Sequence, residues 1–85
     1  MSLADLSEEQ QRIINCLYNV WHAKPDGIGL SEHQLTEQAK LDINDLLKEV
    51  QRLKALGIVD TGYGSDDDRF GRAWLTAYGR SLREE

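Results

Sequence analysis

Cysteine is almost missing from this 85-residue chain. Cys16 stands alone, so an internal disulfide is excluded and a reducing, cytoplasmic setting is the expectation. There is no Cys/His cluster either. His22 and His33 are isolated in sequence, and neither a metal site nor a cofactor is expected. No apolar run approaches the roughly 18 residues that a membrane-spanning helix needs, and no signal peptide is visible. Positive charge is scarce as well. Ten Lys and Arg against fifteen Asp and Glu leave a formal net charge of -5, a field that opposes a polyanion rather than drawing it in. Catalytic patterns are absent: no nucleophile sits beside a base, no carboxylates pair in an apolar setting, and no glycine-rich phosphate loop occurs. An enzyme is therefore not expected. Cys16 lies on the flank of an apolar helix face with nothing nearby to stabilise a thiolate, and reads as a small buried hydrophobe.

What the chain does contain is the mixture of an ordinary globular protein, 40% apolar and 29% charged. The length fits one domain spanning 1–85, with residues 1–6 as a flexible N-terminus ahead of the first helix signal. That signal is Ser7 followed by Gln10, a capping box that opens a helix at about Glu8. Ile13, Ile14, Leu17, Val20 and Trp21 then recur at helical spacing, until Pro25 and the turn Asp26-Gly27 stop the helix near Ala23. A short strand is expected at 28–30. Ser31 with Gln34 opens a second helix, with Leu35 and Ala39 inward. Asp42 caps a third over 43–56, whose expected buried stripe is Leu46, Leu47, Val50 and Leu53, with Leu56 at its edge. Gly57 supplies the left-handed stop. Strands follow at 58–63 and 70–75 around the polar loop Gly64-Ser65-Asp66-Asp67-Asp68-Arg69, and Thr76 caps a last helix to about Arg83. The expected fold is α+β, mainly α, in the order α-β-α-α-β-β-α.

Two short helices joined by a tight turn and followed by a strand occupy 29–59, and DNA-binding proteins lay the second helix of such a pair into the major groove. The spacing Leu35-x3-Ala39-x-Leu41-Asp42, then Leu46-x3-Val50-x2-Leu53-x2-Leu56-Gly57-Ile58-Val59, resembles the winged helix-turn-helix of bacterial MarR- and PadR-type transcriptional regulators. The tail Leu75-Thr76-Ala77-Tyr78-Gly79-Arg80 is similar to the LT-x-x-G-R segment that follows the wing in those families. The resemblance spans about residues 8–83. It implies a winged helix with 43–56 as the recognition helix. Lys40 departs from the pattern, since it stands where these regulators usually carry glycine, and a left-handed lysine is costly there. The turn is therefore expected to differ in detail.

With Leu46, Val50 and Leu53 inward, the opposite face of the third helix shows Asn44, Asp45, Lys48, Gln51 and Arg52. Asn and Gln match the adenine edge, Lys and Arg match guanine or phosphate, and the plain alternative is the solvated side of an amphipathic helix. From the wing, Arg69 and Arg72 are the candidate phosphate contacts. Asp66, Asp67 and Asp68 at its tip oppose phosphate and lack the alternating ligand spacing of a calcium loop. Trp21, Trp74 and Tyr78 read as core packing or, where exposed, as a dimer interface. The leading expectation is a small transcriptional regulator that binds duplex DNA through Asn44, Lys48, Gln51, Arg52, Arg69 and Arg72. The alternative is a winged-helix module that docks on a protein.

Overall fold

The first three helices each begin where a short polar side chain takes up a backbone N–H that the helix leaves free. In the computed structural model of the chain, which describes residues 2–62 and 71–84, α1 is Glu8–Ala23, α2 is Glu32–Ala39 and α3 is Ile43–Ala55. Ser7 Oγ accepts from Gln10 N (3.2 Å) while Gln10 Oε1 accepts from Ser7 N (3.1 Å). Ser31 and Gln34 repeat the box at 3.2 and 3.0 Å. Asp42 Oδ2 accepts from Asn44 N at 3.0 Å. Ahead of α1, the stretch read as a flexible N-terminus contains a 3-10 turn over Leu3–Asp5, and Leu6 is buried.

The strands are short: β1 at Leu30–Ser31, β2 at Val59–Gly62 and β3 at Arg72–Leu75. They pair antiparallel in the order β1-β3-β2, with Leu30 opposite Ala73 and Val59 opposite Leu75. The first strand starts later than its apolar residues imply, because only Leu30 and Ser31 find partners on β3, and Ile28 is left 46% exposed. The tip of the hairpin, including Asp66, Asp67, Asp68 and Arg69, lies outside the described residues. A fourth helix, α4 at Ala77–Glu84, closes the chain. The fold is α+β, mainly helical and winged-helix-like, in the order read from the sequence. No helix is long and apolar enough to cross a membrane.

The core is filled from every element: Ile13, Ile14 and Leu17 of α1, Leu35 of α2, Leu46, Val50 and Leu53 of α3, and Ile58, Val59, Leu75 and Leu82 around them. Trp21 and Trp74 are only partly buried, and Tyr78 is 45% exposed. Cys16 is packed against the core, and burial pushes its thiol pKa up, away from thiolate chemistry.

One junction joins α3, β2 and α4. At the end of α3, Ile58 N donates to Leu53 O and Gly57 N to Lys54 O, both at 3.0 Å, with Gly57 at φ 79°. This is the paired closure that a left-handed residue permits. Thr76 N then donates to Ile58 O (3.0 Å), and its hydroxyl donates to Gly57 O (2.6 Å) while accepting from Gly79 N (3.0 Å). The helix comes so close that a Cβ on Gly79 would lie 2.2 Å from Ile58 O.

This packing decides a sign. Helix propensity alone makes Gly79→Ala stabilising by about 1 kcal/mol. The overlap makes it destabilising, by about 1–3 kcal/mol. Gly57→Ala has open space around the new methyl and pays only for its left-handed backbone, about 1 kcal/mol. In thermal melts, Gly79→Ala is expected to melt below both Gly57→Ala and the parent chain. Melting at or above the parent would rule out the close approach of α4.

Candidate nucleic-acid interface

The turn between α2 and α3 fixes how the two helices meet. Lys40 takes the left-handed conformation itself, φ 57° and ψ 45°, and Leu41 N reaches back to Thr36 O at 3.3 Å. The expected change of turn does not occur. Lysine accepts the strained backbone in the place where glycine would be relaxed, and its side chain is exposed.

From that turn, α3 runs with Asn44, Lys48 and Gln51 along one side, at spacings of four and three that place them on one stripe. Asp45 lies beside the stripe, in the first turn. Its carboxylate favours the positive end of the helix but adds negative charge where a groove-reading helix first meets bases. The buried stripe differs from the expected one. Leu46, Val50 and Leu53 are inside, but Leu47 is only half-buried and Glu49 takes the fourth buried position at 9% exposure. Leu56, at the edge, is 43% exposed.

Glu49 changes the status of a candidate contact. Its Oε1 accepts from Arg52 Nη1 at 2.8 Å, and its Oε2 is buried with no hydrogen-bond partner. Arg52 therefore sits at the surface with its charge answered from within its own helix. Lys54 is committed to the sheet, donating to Thr61 Oγ1 at 2.9 Å. Among the described residues, Lys48 is the basic side chain of α3 with neither ion pair nor hydrogen bond.

Arg72 is not on α3 and is occupied too. Its Nε donates to Ile28 O (3.2 Å) and its Nη2 to Gly29 O (2.9 Å), which ties β3 to the loop before β1. The structure thus brings Asn44, Lys48, Gln51 and Arg52 onto one side of α3 and sets Arg72 on the sheet as a brace. Arg69 lies outside the described residues. Sequence reasoning missed Glu49 altogether. The one available signal was its position, four before Leu53 and three after Leu46, which puts it on the flank of the buried stripe.

The fold has a solved counterpart. A crystal structure at 1.70 Å resolution of a "putative DNA-binding protein" from Ralstonia eutropha JMP134 matches with a TM-score of 0.79, over 93% of this chain and 94% of that one, at 20% sequence identity. Likeness at that identity establishes the fold, and the chemistry of the face rests on the residues described above. No protein-family model and no curated protein matches the sequence.

The strained turn is directly testable. Lys40→Gly relieves a left-handed lysine whose side chain is exposed, and is expected to raise stability by roughly 0.5–1 kcal/mol in denaturant unfolding. A drop in stability would mean that the turn is not left-handed at this residue.

Proposed function

We propose that this chain binds duplex DNA by laying α3 into the major groove, and that it acts in transcriptional regulation. The observation that carries the reading is the stripe Asn44, Lys48 and Gln51 on the second helix of a helix-turn-helix pair, held by a capped start and a braced end. In this reading Asn44 and Gln51 pair with adenine edges, and Lys48 reaches guanine or phosphate. Arg52 contacts phosphate from beside Glu49. Arg69 adds a contact from the wing, where Arg72 holds the base of the hairpin. The name given to the Ralstonia eutropha protein points the same way.

A second reading, a module that docks on a protein, is favoured by the Glu49–Arg52 pair and the net charge of -5, which leave little positive field for phosphate. One titration separates them. Fluorescence anisotropy with a labelled random duplex at two salt concentrations is expected to show salt-sensitive binding. The Lys48→Ala/Arg52→Ala protein should bind more weakly, with the salt slope reduced by about 0.9 for each phosphate that is no longer neutralised. Failure to bind at low salt would end the DNA reading and leave the docking module.

Glu49→Gln probes the same face from the inside. Removing the buried charge frees Arg52, and duplex affinity is expected to rise by a few-fold, about 1 kcal/mol or less. Weaker binding in a folded Glu49→Gln protein would show instead that Glu49 holds Arg52 in its contacting orientation.

A further inference from the structure

We infer that the cleft where the α1–β1 loop crosses the end of β3 is a binding site for a small planar monocarboxylate, with its ring against the tryptophan-lined wall and its carboxylate on Arg80. The cleft has a volume of about 280 Å³ and is lined chiefly by Trp21, Pro25, Ile28, Gly29, Trp74 and Arg80.

Its loop wall is built rather than loosely draped. Gly27 N closes the turn on Lys24 O at 2.9 Å, and Gly29, at φ 74°, lies flat on β3. A Cβ on Gly29 would fall 1.8 Å from Ala73 O and 3.0 Å from Trp74 Cβ, so only glycine allows the loop to come this close. Arg72 then holds the same stretch through the Ile28 and Gly29 carbonyls. Ile28 is left at the mouth, 46% exposed, an apolar side chain that the fold does not cover.

The opposite wall carries the charge. The Arg80 guanidinium lies 4.8 Å from the centre of the Trp21 ring, and its Nη1 donates to Leu75 O at 3.1 Å. Stacking and one hydrogen bond fix the plane of the fork, while most of its five N–H groups remain for a ligand. No carboxylate among the described residues pairs with Arg80, and no acidic residue lines the cleft. One fixed cation with no acid nearby selects an anion, and a single charge selects a carboxylate over a dianionic phosphate. Tryptophan, proline and isoleucine select a flat apolar body. The volume lies at the small end for ligand sites, which fits a single ring or a fused pair. None of these residues belongs to α3, so occupancy of the cleft is measurable independently of DNA binding.

Both tryptophans of the chain line the site, so their two indole N–H resonances report on it directly. The 85-residue protein, labelled with nitrogen-15, is titrated with benzoate and, separately, with its neutral analogue benzamide. Benzoate is expected to shift one or both indole resonances saturably in the millimolar range, and benzamide to bind about tenfold more weakly or worse. Arg80→Gln should abolish the difference between the two probes. Ile28→Glu, at an exposed position where the fold is not at risk, places a carboxylate at the mouth and should weaken benzoate comparably. Arg83→Gln removes a cation stacked 5.1 Å from the Tyr18 ring, outside the cleft, and should leave binding unchanged. The inference is overturned if benzoate produces no saturable shift, if benzamide binds equally well, or if benzoate binding survives both Arg80→Gln and Ile28→Glu.

Discussion

Everything that orients the candidate reading helix passes through two neighbouring carbonyls, those of Gly57 and Ile58. Each is taken by Thr76, one by its hydroxyl and one by its backbone N–H, while Gly79 brings α4 into contact with Ile58 O. The segment Leu75-Thr76-x-x-Gly79-Arg80 can therefore be read residue by residue. Leu75 enters the core, Thr76 both caps α4 and binds the end of α3, Gly79 is small because a carbonyl occupies the place of a Cβ, and Arg80 turns outward onto Trp21. The end of one helix, the start of a strand and the start of another helix become one rigid corner. The other end of α3 is set by the left-handed Lys40 and the Asp42 cap, so the stripe between them has little freedom to tilt.

What could be read from the chain followed the range of the interactions involved. Ser7, Ser31, Asp42 and Gly57 act within a few residues of themselves, and their caps and stops appear where local chemistry puts them. The first strand is different, because its limits are set by pairing with β3 more than forty residues away, and no local pattern marks Leu30 rather than Ile28 as its start. Arg72 was misread for the same reason. As a residue type it reads as a free cation, yet its partners are carbonyls 43 and 44 positions earlier. Glu49 shows a further limit. Periodicity places Leu47 and Glu49 on opposite flanks of one buried stripe, and hydrophobicity then chooses the leucine. The tertiary arrangement chose the glutamate instead, because its flank is the one that packing covers.

The described arginines share a pattern that bears on function. Arg12 pairs with Glu8, Arg52 with Glu49, Arg72 with two backbone carbonyls, Arg80 with Trp21 and Leu75 O, and Arg83 with Tyr18 and Asn15. Guanidinium suits such work because it stacks and donates in fixed directions at once. These cations serve mainly as braces, and a count of basic residues therefore overstates the charge available to a polyanion.

The consequence for DNA binding is a matter of proportion. Affinity for duplex irrespective of sequence scales with the phosphates neutralised. A face on which Lys48 alone is uncommitted among the described residues, in a molecule of net charge -5, has little of that affinity to offer. Discrimination between sequences comes instead from side chains that match base edges, and Asn44 and Gln51 are of that kind. A reader built this way depends on good base contacts rather than on general attraction, so it is released readily from unrelated sequence. The acidic balance that argues against a strong general DNA binder is thus compatible with a selective one. In that case the Glu49–Arg52 pair has a definite role, keeping a surface cation from adding attraction that carries no sequence information.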